Sequence, residues 1–260
     1  MRMIGYLRIV ANVVSVNRPL ALLFALCCVV FCACGSMTVS PGSYGLSPVA
    51  KTTPGSPSSV EPLASPQPTF STSTDSKGIV HSDAKSTGSF LINKSSADSA
   101  REGRKIVYAV RVEDSLGLDP EEVAKKIQET LDDDRGWAPI DKVSFRLVPD
   151  PDDAELIVTL ATPATVNEFC RPLDTQSCWS CRAGEAVNLN ADRWMYGTPS
   201  FSDLSIEEYR SYLVNHEIGH YLGRGHLSCP GQGIPAPVMQ QQSMSVDVCK
   251  PNVWPANDPD

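Results

Sequence analysis

Histidine is scarce in this chain, with four residues in 260. Basic charge is short as well. From Arg104 to Asp260 there are 14 Lys and Arg against 25 Asp and Glu, a net of −11. Such a surface repels phosphate backbones and excludes nucleic acid as a partner. Long apolar runs are also missing. The run from Pro19 to Cys34 is sixteen residues, too short to span a membrane comfortably and suited to the hydrophobic part of a signal peptide. Hydrophobic periodicity is absent from Gly35 to Gly103, where 31 of 69 residues are Ser, Thr or Pro. Little apolar surface is available there to offset the entropy of ordering, so residues 35–103 read as a disordered tether. His81, alone in that stretch, is discounted as a metal ligand.

What is present organises the chain into three parts. Residues 1–34 form a signal peptide, with Arg2, Arg8 and Arg18 ahead of the apolar run. Its end, Phe31-Cys32-Ala33-Cys34-Gly35-Ser36, resembles the processing box of bacterial lipoproteins and implies a lipid on Cys34. Cleavage near Ala33 and an uncleaved anchor remain as alternatives. The expected location is outside the cytoplasmic membrane, either lipid-anchored on its outer face or secreted.

The third part, 104–260, carries the pattern of a folded domain. Lys105–Val112 alternates apolar and polar residues as a strand, as does Val143–Leu147. Ala154–Leu160 is a more uniformly apolar strand, buried on both faces. Glu185–Asn190 is a further short strand. Asp119, Pro120 and Glu122 mark a helix start, and Val123, Ile127 and Leu131 recur at helical spacing. Ser205 and Glu208 form a capping box that opens a second helix running to Gly223. This order predicts an α+β fold with a mixed, mostly parallel sheet and two main helices.

Three of the four histidines fall within the eleven residues His216-Glu217-Ile218-Gly219-His220-Tyr221-Leu222-Gly223-Arg224-Gly225-His226. Residues four apart share a helix face, so His216 and His220 can bind one zinc ion. Gly223 permits the left-handed turn that brings His226 back as a third ligand. Three imidazoles leave a fourth position open for chemistry. Glu217, one step round the helix, is then the base that activates water. Of the neighbours, Tyr209, Tyr212 and Leu213 read as core or cleft lining and Asn215 as helix surface or a loop contact. Arg224 reads as solvated or as a partner for a substrate carboxylate.

The segment resembles the metzincin zinc peptidases, whose motif H-E-x-x-H-x-x-G-x-x-H precedes a methionine turn. Every fixed position is met, and the turn is identified as Ala236-Pro237-Val238-Met239. The resemblance implies that Met239 floors the three imidazoles and that zinc-assisted hydrolysis of peptide or protein substrates is the activity. It also implies a substrate-pairing edge strand between Thr165 and Arg182. A further implication is a side pocket lined by Gln240, Gln241, Gln242 and Ser243 that prefers polar residues after the cut. Leu227 and Gln241 differ from the better-known families at the places after the third histidine and beyond the methionine. The run NHEIGHYLGRGH…CPG…APVMQQQ…C is similar to a group of exported actinobacterial proteins. No cysteine follows Cys34 in the tether, so no thiol is available there to cap zinc. Two other readings stand beside the peptidase, a zinc-stabilised binding module without turnover and a structural lipoprotein of the cell envelope.

Five cysteines lie in the domain, an odd number. A bond from Cys229 to Cys249 would tie the loop of the third ligand to the turn. Cys170 with Cys181 is then preferred, leaving Cys178 free or available to another chain, the alternative being five reduced, buried thiols. Disulfides imply an oxidising compartment.

Overall fold

The computed structural model describes residues 69–259. The apolar run, Cys34 and residues 35–68 of the expected tether lie outside the described residues. Among the described residues no helix is long and apolar enough to cross a membrane.

Among the described residues nine strands form in chain order: β1 (Thr72–Thr74), β2 (Val80–Ser82), β3 (Phe90–Ile92), β4 (Ala97–Asp98), β5 (Arg104–Glu113), β6 (Val143–Leu147), β7 (Leu156–Ala161), β8 (Cys181–Ala183) and β9 (Ala186–Asn190). The helices are α1 (Pro120–Leu131), α2 (Trp137–Asp141), α3 (Pro163–Phe169), α4 (Ala191–Tyr196) and α5 (Ile206–Tyr221). Strands β6, β5, β7 and β9 are parallel neighbours, with Ile106 opposite Phe145, Val110 opposite Val158, and Leu160 opposite Leu189. Antiparallel β4 and β8 close the two ends of this order, and β3 pairs antiparallel with the last residues of β5. The sheet is therefore mixed and mostly parallel, as the alternation of strands and helices predicts.

Alternation along β5 sends Ile106, Tyr108, Val110 and Val112 into the main core, all fully buried. Helices α1 and α5 pack on each other and on the sheet. Asp119 caps α1, accepting from Glu121 N–H at 2.9 Å. The capping box of α5 is complete: Ser205 Oγ accepts from Glu208 N–H at 3.2 Å and Glu208 Oε2 from Ser205 N–H at 2.9 Å. The short helices α2, α3 and α4, of 5, 7 and 6 residues, escape the periodicity argument because none completes two turns.

The expectation of disorder through Gly103 is wrong for residues 69–103, and the domain does not begin at Arg104. Strands β1 and β2 form a hairpin, while β3 and β4 join the main sheet. Sheet pairing satisfies the backbone here, and polar hooks do what apolar side chains do elsewhere. Asn93, 1% exposed, accepts from Val110 N–H at 2.8 Å and donates to Val148 O at 3.1 Å. Ser82 N–H donates to buried Asp192 at 3.0 Å. Glu113 is buried and accepts five hydrogen bonds, from the N–H groups of Thr87, Gly88 and Thr162 and the hydroxyls of Thr162 and Thr165. Burial pushes the Glu113 carboxyl up, but these donors outweigh it and hold it below the usual range. Composition alone misses this order, because the residues that anchor the segment are serine, asparagine and threonine.

A chain starting at Arg104 should therefore be much less stable than one that keeps residues 69–103. It exposes the β3 side of β5 and removes two N–H donors from buried Glu113. Each such loss costs about 1–3 kcal/mol, so a fall in Tm on the order of 10 °C is expected. Thermal unfolding of the two chains measures it, and equal midpoints would show that the N-terminal strands are not part of the folded unit.

Candidate metal centre

Helix α5 presents an aromatic stripe that leads into the site. Tyr209 and Tyr212 pack on Phe201 with ring centroids 5.0 and 4.7 Å away, and Tyr212 meets the His216 ring at 5.6 Å. Both tyrosines are core residues. The Tyr212 hydroxyl donates to Gln240 O and accepts from Gln242 N–H, each at 2.9 Å.

His216 Nδ1 lies 2.8 Å from Val238 O, and His220 Nδ1 lies 2.8 Å from Arg224 O. A carbonyl only accepts, so both Nδ1 atoms carry the proton and both Nε2 atoms keep a lone pair. His220 Nε2 is 3.0 Å from His226 Nε2, and one ligand atom from each of the three rings lies within 4.8 Å of the others. A tetrahedral zinc centre with Zn–N near 2.0–2.1 Å needs donors roughly 3.3 Å apart. The donor set fits such an ion, and the His220–His226 pair already lies near that spacing.

The return of His226 depends on how α5 ends. Gly223 takes φ +90°, Arg224 N–H donates to Gly219 O at 2.9 Å and Gly223 N–H to His220 O at 3.1 Å. These two bonds form a Schellman motif that caps the helix and reverses the chain. Leu227 N–H then donates to Met239 O at 3.1 Å. Cys229 pairs with Cys249, and Cys170 with Cys181, while Cys178 is free and buried.

Met239 is 1% exposed and packs against Gly219, between the two helical histidines. A Cβ at Gly219 would overlap the Met239 sulfur and come within 3.3 Å of the Trp137 ring. Glycine is required here for close approach.

Arg224 is neither solvated nor directed at substrate. Its guanidinium makes two 2.6 Å bonds to Asp141 and lies 3.9 Å from the Trp137 ring centroid. Trp137 in turn donates to Asn215 O at 2.7 Å. Asn215 is buried rather than on the helix surface and donates to Val253 O at 3.0 Å. The α2 residues Trp137 and Asp141 thus hold the ligand loop from behind. No local sequence signal marks them, since only tertiary packing brings them to the site.

The four residues after Met239 do not act together. Gln240 and Gln242 are buried: Gln240 donates to Ser245 O, and Gln242 bonds Pro237 O, Asn252 O and Asn252 N–H. They brace the turn. Gln241 and Ser243, with Met244, line the cleft. His81 sits on β2, 3.5 Å from Asp75, and is not part of the triad.

The three histidines and Glu217 open on a cleft of about 560 Å³. Burial lowers His216 to about 3 and also lowers His226, so both rings stay neutral and ready to bind a cation. Glu217 is 4% exposed, its Oε2 has no hydrogen-bond partner, and burial pushes its carboxyl up to about 8. An unpartnered buried acid beside three imidazoles is an arrangement that a cation would relieve.

The model of one family, DUF3152, described as a protein of unknown function, matches residues 78–256. The chain belongs to the DUF3152 family. Its DUF3152 region takes in β2 to β4, the three histidines and the turn at Met239. No curated protein and no solved structure matches the chain.

Two outcomes follow. Gly219→Ala forces a methyl group onto the Met239 sulfur and should cost about 1–3 kcal/mol, read as a lower Tm and weaker zinc binding. A variant with wild-type values for both would refute the close-packing assignment. The second concerns the metal-free protein. Between about 4.5 and 8 the folded state keeps a proton on Glu217 that the unfolded chain has lost. This contribution is complete below pH 4.5 and lost as pH rises through 8. His216 works in the opposite direction, destabilising the fold as pH falls from 6.5 towards 3. Urea midpoints from pH 6.5 to 8.5 should fall in the metal-free wild type and stay flatter in Glu217→Gln. Parallel curves would contradict the buried-acid assignment.

Proposed function

We propose that this DUF3152 chain is a zinc metalloendopeptidase of the metzincin kind, working outside the cytoplasmic membrane on peptide or protein substrates. The carrying observation is the convergence of one ring nitrogen from each of three imidazoles in a cleft that also holds a buried, unpartnered carboxyl group. His216, His220 and His226 would hold the zinc, which when bound polarises a peptide carbonyl and acidifies water. Glu217 takes the proton from the attacking water and returns it to the leaving amine. Burial raises its proton affinity, which suits it to both halves of that transfer. Met239, in the methionine turn of this reading, supports the helix between the two ligands, and Val238 and Arg224 orient the rings through their carbonyls.

Strand β8 supports the way in for substrate. It pairs with β9 at one end of the sheet order, includes Arg182, and follows a loop closed by Cys170–Cys181. An extended peptide can add to such an edge through backbone hydrogen bonds. The two disulfides support an oxidising compartment, and hence export. With that goes a lipid on Cys34 at the outer membrane face, or ordinary secretion.

The test compares the full chain with Glu217→Gln for zinc content and for cleavage of a peptide library. The variant should keep its zinc and lose hydrolysis by about 10²- to 10⁴-fold. Comparable activity in the two would remove Glu217 as the base. Zinc without cleavage in both would replace the peptidase with a metal-stabilised binding module.

A further inference from the structure

The cleft over the three histidines holds apolar surface that the fold leaves in water. Among the described residues eight large hydrophobic side chains are exposed, and two of them, Leu173 at 57% and Met244 at 50%, line this cleft. Trp179, partly exposed, lines it as well. A ligand seated against these side chains would remove them from water, a gain that folding itself does not take. Their backbone is held in place. Leu173 and Trp179 belong to the loop closed by Cys170–Cys181, where Leu173 N–H donates to Cys170 O at 3.0 Å and Trp179 N–H to Thr175 O at 3.1 Å. Met244 N–H donates to Gln241 O at 2.9 Å, in the segment that follows the turn at Met239.

Charge in the cleft supplies no competing preference. Asp141 takes up the charge of Arg224, and Arg193 is fully buried with its guanidinium on the carbonyls of Gly197 and Val80. Arg182 and Asp174 are exposed and opposite in sign, so together they favour neither an acid nor a base. The amides expected to select polar residues are mostly withdrawn. Gln240 and Gln242 are buried in their own turn, and of the three glutamines Gln241 alone lines the cleft. Strand β8 begins at Cys181, two residues beyond Trp179. A peptide pairing with β8 would therefore run past the loop that carries Leu173 and Trp179, with alternate side chains turned to one face.

We propose that the cleft selects peptides with an apolar residue of leucine, methionine or phenylalanine size, held by Leu173, Trp179 and Met244. The proposal rests on the peptidase reading for its substrate and names the class that the site accepts. It reverses the polar preference that the glutamine run implies, because the side chains that reach the cavity are different ones. An amide of leucine's shape would exchange water for hydrocarbon along this wall, which is costly.

The experiment measures binding, so it does not depend on turnover. Fluorescein-labelled Ala/Gly octapeptides, each with a single Leu or the matched Asn scanned along the sequence, are titrated onto the full chain after metal removal. At one position Leu should bind at least about 10-fold tighter than Asn. Leu173→Ser and Met244→Gln should each cut that ratio by about 3-fold or more. The double variant should bring it close to one while the Asn peptides bind as before. Both residues are exposed, so the variants should fold as the wild type does, with Tm as the check. Equal binding of Leu and Asn peptides to the wild type at every position overturns the proposal, whatever the folding of the variants. Tighter binding of Asn overturns it too and restores the polar pocket. An unchanged ratio in the double variant would show that these side chains do not form the subsite. Cleavage of Leu and Asn peptides alike by the zinc-loaded chain would sink this subsite alone. A Leu preference in binding without cleavage would leave the subsite standing and sink the peptidase.

Discussion

Two backbone carbonyls, those of Val238 and Arg224, aim the site. By accepting from Nδ1 of His216 and His220 they fix the tautomer of each ring and turn its free nitrogen towards one point. Much of the surrounding structure serves to hold those carbonyls still. Arg224 O is placed by the Schellman motif at the end of α5, and its own side chain is locked on Asp141 and Trp137. Val238 O sits in a turn braced by Gln242 and Asn252, whose bonds run almost wholly to backbone. The Cys229–Cys249 bond joins the two segments, with Cα atoms 5.8 Å apart. The histidines need little freedom of their own to be positioned.

Close packing supplies the other constraint. A helix can lie on the turn at Met239 only where one residue lacks a side chain, and Gly219 falls between the two helical ligands, next to His220. The same residue contributes the carbonyl that receives Arg224 N–H. Gly219 thus joins the floor of the site to the turn that returns His226. A substitution there disturbs packing and loop closure together.

The sequence announces the parts of this arrangement that are local. The capping box at Ser205, the i, i+4 histidines, the glycine that ends the helix and the spacing to Met239 are all contained in a short stretch, and the helix forms as they require. The two cysteine pairs were also readable, from separation and from the parity of five thiols. Partners distant in sequence were not legible. Asp141 reaches Arg224 across 83 residues, and nothing near either residue marks the pair. Gln240 and Gln242 look like a polar pocket lining but are consumed by backbone groups of their own turn. The strands between residues 69 and 103 carry too few apolar residues to show a period. Their order comes from sheet pairing and from single polar side chains that reach buried groups.

Asp258 accepts from Val238 N–H at 2.8 Å and from Asn252 Nδ2 at 3.0 Å. It therefore holds the turn whose carbonyl orients His216, and it follows every other residue of the site in the chain. During synthesis the order of appearance matters. A polypeptide still emerging from the ribosome carries all three histidines before it has made the residue that steadies the Val238 turn. In a reducing compartment Cys229 and Cys249 also remain apart. The histidines are thus made early, and their alignment is completed only when the last segment has folded back and the thiols have been oxidised.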